Sequence, residues 1–197
     1  MLSERVLRIL AASAIVPAGA TLNFLLFWSF FDFWRRHRAL TYVMMLGDLA
    51  LIGVLLYVFR RLVFAARIDA PVILQALGWA LIVASGVLGF VADRQIGIRV
   101  RSFTPFFEEQ GRIRLVTSGA YGVVRHPIYA AGLYYQLGAT FVTGYVAVAA
   151  AFVVLALGAA WFTRREEERL VGLLEDRDAY DRYRARVPAL FPWPRRR

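Results

Sequence analysis

Apolar positions in this chain fall into long runs separated by short polar breaks. The first run covers residues 6–34. It is interrupted by Arg8, softened by Pro17, Gly19 and Asn23, and ends in Phe27, Trp28, Phe30, Phe31, Phe33 and Trp34. Arg35, Arg36, His37 and Arg38 close it. The second run, 41–59, stops at Arg60 and Arg61, and the third, 71–92, opens on Pro71 in a favourable first-turn position. A polar stretch, 93–126, follows. Two more apolar runs, 127–142 and 145–162, flank Thr143 and Gly144, which suit a tight turn, so together they predict a helical hairpin. Runs of this kind predict helices that cross a bilayer, at about 20 residues each. The fourth is short, which predicts a tilted helix or one that begins below the interface. In the tail, 164–197, Leu170, Leu173 and Leu174 share one helical face, predicting an amphipathic helix ended by Pro188, Pro192 and Pro194.

The expected fold is therefore all-α: a polytopic membrane helix bundle of about five transmembrane helices with a cytosolic C-terminal amphipathic helix. Composition agrees, with 59% hydrophobic residues over 197 positions and a mean hydropathy of +0.54. This length suits one integral membrane domain, with three spans in 1–92 and a loop, hairpin and tail in 93–197. Little chain is left for a separate soluble domain, so any chemistry belongs on helix ends and loops.

The net charge is +10, and every basic residue is arginine, as a GC-rich genome would produce. With five spans, one side receives Arg5, Arg8, Arg60, Arg61 and Arg67, and the other receives the remaining 19 of the 24 arginines. The positive-inside rule places the second side in the cytoplasm and the N-terminus outside, and a bacterial inner (cell) membrane is the expected location. The arginines are spread over helix ends and no nucleic-acid motif accompanies them, so lipid is the expected partner, not nucleic acid. There is no cysteine, which removes thiolate nucleophiles and Cys-ligated metals. His37 and His126 are the only histidines, too few for a multi-histidine metal site. The first run is too long for the apolar core of a cleavable signal.

Two polar clusters could carry chemistry. The stretch from Leu115 and Val116 through Tyr121 to Arg125, His126, Pro127, Ile128 and Tyr129 is a turn-rich approach to a helix that starts at Pro127. Free N–H groups and the positive dipole end there favour an anion such as a small carboxylate. Tyr129, Leu133 and Gln136 continue one face of that helix. The second cluster is Arg164, Arg165, Glu166, Glu167, Glu168 and Arg169 at the end of the last span. Three adjacent carboxylates there are tolerated if solvated, paired with arginine or facing a cation. Asp48, in the middle of the second span, is either functional or hydrogen-bonded within the bundle through Asn23, Gln75 or Gln136.

The ordered set of GAYGVVRHPIY, a hairpin, EEE and YDRYRARVP resembles the isoprenylcysteine carboxyl methyltransferase family. It is similar also to the related phospholipid N-methyltransferases. The likeness covers residues 115–192. It departs from the family pattern at Ala131, where the glycine comes one residue later at Gly132, and at 175–178, where a Phe-Gly is missing. Matching the EEER portion makes Glu167 and Glu168 the acidic pair, while counting back from Tyr180 favours Glu168, with Arg164 as the substrate-facing arginine.

The resemblance implies S-adenosyl-L-methionine as cofactor and a lipophilic, membrane-partitioned methyl acceptor (carboxylate, amine or thiol) at the cytosolic face. It implies a cofactor site formed by Ile113, Leu115, Val116, Tyr121, His126, Pro127, Ile128, Tyr129, Glu167 and Glu168, with Arg125, His126, Tyr129 and Arg164 as catalytic residues. No metal is implied. Methyl transfer to an anionic acceptor needs alignment and dehydration more than acid–base power, which suits this residue inventory. A NADPH-dependent reductase of the steroid-reductase type has a similar Arg-His-Pro-x-Tyr stretch, usually with Asn where Ile128 stands, and a non-enzymatic membrane scaffold is the other alternative.

Overall fold

The computed structural model describes residues 3–101, 115–174 and 176–192. All regular elements among them are helices: α1 (Glu4–Ser29), α2 (Phe31–Arg36), α3 (Arg38–Val58), α4 (Arg60–Val63), α5 (Val72–Arg101), α6 (Ala120–Val123), α7 (Pro127–Thr143), α8 (Val146–Leu173) and α9 (Arg177–Arg186). Four helices, namely α1, α3, α5 as far as Gly97, and α8, are long and apolar enough to cross a membrane. The remaining apolar run becomes α7, whose 17 residues span about 26 Å, short of a hydrocarbon core of about 30 Å. This is the shortness that the sequence predicts for that run.

Helix α1 packs against α3, α7 and α8. Its Phe27 and Trp28, with Phe31 of α2, pack with Leu133 of α7 and Leu155 and Phe162 of α8 at one end of the bundle. At the other end, Leu7, Ala11 and Ala14 meet Ala139, Val142, Tyr145 and Val148. Helix α3 turns Thr41 and Ile52 inward, while Leu46, Leu49, Leu51, Val54 and Val58 stay exposed, as suits a lipid-facing helix. Asp48 is half-buried on the inward side of α3.

Helices α5 and α7 cross where two glycines face each other. A Cβ on Gly78 would stand 2.7 Å from the Gly138 carbonyl oxygen, and one on Gly138 would stand 2.5 Å from that of Gly78. Only hydrogen at both positions lets the backbones approach so closely.

The turn between α7 and α8 forms where expected. Gly144 takes φ +70° and ends α7, and its carbonyl accepts from the Ile68 N–H at 2.8 Å. Val146 N–H donates in turn to Ala66 at 3.1 Å. Beside this clip, Glu4 gathers the Tyr145 hydroxyl at 2.5 Å, Arg8 at 3.0 Å and Arg67 at 3.3 Å. These contacts tie the start of α1 to both loops at the end of the bundle away from α6 and α9.

The tail differs from the expected single amphipathic helix. Residues 163–173 continue α8 without a break, because Arg, Glu and Leu are strong helix formers and no proline intervenes. The helix then ends, and α9 starts afresh with the Asp176 side chain accepting from Ala179 N–H at 2.9 Å. The three acids therefore ride on an extension of a spanning helix.

Candidate functional site

The site gathers where the start of α7 meets the end of α8. Pro127 stands at the first position of α7, and its fixed φ starts the helix directly after His126. The loop before it is held from α5. Gln95 donates to the Ser118 carbonyl at 3.0 Å and accepts from Ala120 N–H at 2.9 Å, setting the first turn of α6.

On α8 the inward face runs through Ala159, Phe162 and Thr163 to Glu166 and Glu167. This is the helical i, i+3, i+4, i+7 pattern. Glu167 is 5% exposed, and its carboxylate collects the surrounding cations. Oε1 accepts from Arg125 Nε at 2.8 Å, lies 2.8 Å from Arg125 Nη2 and 2.9 Å from His126 Nε2. Oε2 lies 3.6 Å from Arg184 Nε on α9. Glu166 lies on the other side of His126, with Oε2 3.8 Å from Nδ1. That oxygen is buried and has no hydrogen-bond partner.

Aromatic rings line the Glu166 side. The Tyr129 ring lies nearly parallel to the His126 ring at 5.8 Å between centroids and meets Phe162 at 4.9 Å and Phe24 at 5.8 Å, both edge to face. The Tyr129 hydroxyl is close enough to Glu166 to interact with its charge. Tyr121 is half-buried at the rim. Burial and the nearby Glu166 charge hold its hydroxyl protonated well above the usual tyrosine range.

The tail closes the underside. Main-chain N–H groups of Arg125 and His126 donate to the carbonyls of Pro188 at 2.8 Å and Ala189 at 3.0 Å. Tyr134 hydroxyl donates to Leu190 at 2.9 Å, and Tyr183 hydroxyl donates to Tyr121 at 2.6 Å. Burial pushes Tyr183 up to about 12, so that donor keeps its proton at any physiological pH.

The predicted residues divide accordingly. Arg125, His126, Pro127, Tyr129 and Glu167 come together, with Tyr121 at their edge. Leu115 and Val116 lie half-buried in the approach to α6, Ile128 is 38% exposed, and Ile113 lies outside the described residues. Arg164 and Glu168 are exposed on the outer face of α8, where Glu168 pairs with Arg165 at 3.2 Å. The structure does not bring either of them to the cluster. It brings Glu166 instead, together with Gln95, Tyr183 and Arg184. A signal for Glu166 exists in the sequence: extending the buried face of the last span by one turn from Phe162 and Thr163 lands on Glu166 and Glu167 and passes over Glu168. Tyr183 and Arg184 lie in the YDRYRARVP stretch that carries the resemblance, but their meeting with the cluster, like that of Gln95, depends on elements far apart in the chain.

This arrangement combines a buried acid with an open acceptor oxygen, aromatic walls and a helix start, all at one end of an apolar bundle. A model of the phospholipid methyltransferase family matches residues 73–177, more than half of the chain. The chain belongs to the phospholipid methyltransferase family. The matched region runs from the second residue of α5 to the first of α9, so Arg125, His126, Tyr129, Glu166 and Glu167 lie inside it, while α1, α3, Tyr183 and Arg184 lie outside. No curated protein and no solved structure gives a significant match. Membership of the phospholipid methyltransferase family, with four spanning-length helices, makes this an integral membrane protein of a methyl-transferring family.

Proposed function

We propose that the protein transfers a methyl group from S-adenosyl-L-methionine to a lipid-like or membrane-partitioned acceptor at the cytosolic face of the membrane. The observation that carries this reading is the buried Glu166 Oε2, which lacks a hydrogen-bond partner and sits beside His126 and Tyr129. A buried carboxylate oxygen is costly unless something pairs with it. The cofactor's positive ammonium or sulfonium group would supply that partner, and the rings of Tyr129, Phe162 and Phe24 add the faces that attract such cations. The residues present therefore fit the cofactor. When bound, it supplies an electrophilic methyl group on a sulfonium.

The chain's own residues align, dehydrate and neutralise. Glu166 offers its charge. Tyr129, Phe24 and Phe162 exclude water from the inner side. The α7 start, with Pro127 carrying no N–H, presents the next N–H groups toward an anionic group such as the methionyl carboxylate. Glu167 is already paired with Arg125 and His126, so it shapes the pocket from behind. Leu115, Val116, Tyr121 and Ile128 are proposed to contact the cofactor beside this cluster, and Ile113 is proposed to meet its nucleoside part. Arg164 and Glu168, exposed on the outer face of α8, are proposed to act only at the membrane surface.

The site end also carries the arginine-rich side of the chain, so the positive-inside rule supports a cytosolic site, an external N-terminus and a bacterial inner membrane. A soluble cofactor then reaches the site from the cytosol, and a lipophilic acceptor reaches it between helices. The experiment is to titrate purified protein in detergent with S-adenosylmethionine, S-adenosylhomocysteine and NADPH while following thermal unfolding. Stabilisation by the first two is expected. A shift with NADPH alone would indicate a reductase, and no shift with any of the three would indicate a scaffold.

A further inference from the structure

Arg125 offers no free nitrogen to a ligand. Its side chain is buried, and all three guanidinium nitrogens are engaged inside the protein. Nε and Nη2 both address Glu167 Oε1 at 2.8 Å. Nη1 donates to the Arg184 carbonyl at 3.3 Å and to the Val187 carbonyl. The main-chain N–H donates to Pro188, and that of the next residue donates to Ala189. One residue thus joins three segments: the start of α7, the inner end of α8 and the strap of residues 187–191 that follows α9.

We propose that Arg125 is a positioning residue which couples docking of the C-terminal strap to the placement of Glu167 and His126. This rests on the reading of the cluster as the S-adenosylmethionine site. The coupling follows from the chemistry of a planar guanidinium. Its fork matches a carboxylate on one edge and carbonyls on another at the same time, which no other side chain does. Without it, Glu167 keeps only His126 and the partly exposed Arg184 as partners. A buried carboxylate stripped of its main counter-charge moves toward water. His126, which shares the same oxygen, moves with it, and the Glu166 and Tyr129 side of His126 loses its alignment. The strap acts by the same route from the opposite direction, since its carbonyls hold the Nη1 edge and the backbone of Arg125.

The test uses the chain of residues 1–197 in detergent beside its variants Arg125→Gln, Arg125→Lys and Tyr134→Phe and a shortened chain ending at Arg186. Two quantities are followed: affinity for S-adenosylmethionine and the ring NMR signals of isotope-labelled histidine. With only His37 and His126 in the chain, the two rings are separable, and the exposed His37 is an internal control. In Arg125→Gln the His126 ring signals are expected to shift while those of His37 stay. Cofactor affinity is expected to fall about tenfold or more, the size of one lost charged contact. Arg125→Lys recovers part of both, and the chain ending at Arg186 reproduces the Arg125→Gln result with helicity retained. Tyr134→Phe removes only the bond to Leu190 and shifts the same signals less. It decides the matter if the shortened chain fails to fold.

His126 signals unchanged in Arg125→Gln would overturn the proposal, and if affinity fell nonetheless, Arg125 would meet the ligand directly. Unchanged signals in both the shortened chain and Tyr134→Phe would overturn the part assigned to the strap. If the parent protein does not bind S-adenosylmethionine, the cofactor reading fails. The ring signals still decide the coupling, so the two failures are distinct.

Discussion

His126 Nε2 stands 2.9 Å from Glu167 Oε1, the same oxygen that receives Arg125, so two residues adjacent in one loop converge on a single carboxylate from another helix. The pairing separates the three acids of α8 by role. Glu167 is engaged, Glu166 has a free buried oxygen, and Glu168 faces outward.

Glu167→Ala is expected to be strongly destabilising. It leaves Arg125 buried without its counter-charge, and breaking a buried pair in this way costs about 3–5 kcal/mol. Glu168→Gln changes only an exposed pair with Arg165 and is expected to stay within about 0.5 kcal/mol of the parent. Thermal unfolding in detergent compares the two. Equal effects would remove the distinction between them.

Glu166→Gln is expected to leave stability nearly unchanged and to weaken S-adenosylmethionine binding about tenfold or more, since it removes a charge that has no hydrogen-bond partner at Oε2. Binding measured calorimetrically on the folded variant checks this. Affinity equal to the parent's would transfer the cation-binding role to another residue.

Gly138→Ala places a methyl group 2.5 Å from the Gly78 carbonyl oxygen and 2.9 Å from the Ile82 side chain. Helices α5 and α7 must then separate, at about 1–3 kcal/mol. Because α7 carries His126 and Tyr129 at its start, reduced cofactor affinity is expected alongside a lower unfolding temperature.

Tyr183 provides a pH prediction. Burial raises its pKa from the ordinary 10.0 to about 12. The folded state then holds this proton more tightly than the unfolded chain, so the contribution to stability is complete below about 10 and is lost as pH rises toward about 12. Tyr183→Phe should flatten that part of the alkaline unfolding profile. An unaltered profile would place the loss elsewhere.

Much of the architecture is legible from hydrophobic runs because a bilayer requires each spanning segment to satisfy its own backbone. The turn at Gly144, the helix start at Pro127 and the short seventh helix follow from local chemistry of this kind. The length of α8 is less legible. A run of charged residues reads as leaving the membrane, yet those same residues are good helix formers and extend the helix to Leu173.

By itself, the sequence determined the helical membrane fold, the polar cluster before α7 and the family resemblance, since each depends on residues near one another along the chain. Tertiary structure decided which acid meets which cation. That choice depends on the rotation of α8 about its own axis, where one residue is about 100° of turn. It depends also on the return of the strap to Arg125, some 60 residues later in the chain, a contact whose backbone carbonyls leave no mark in the order of side chains.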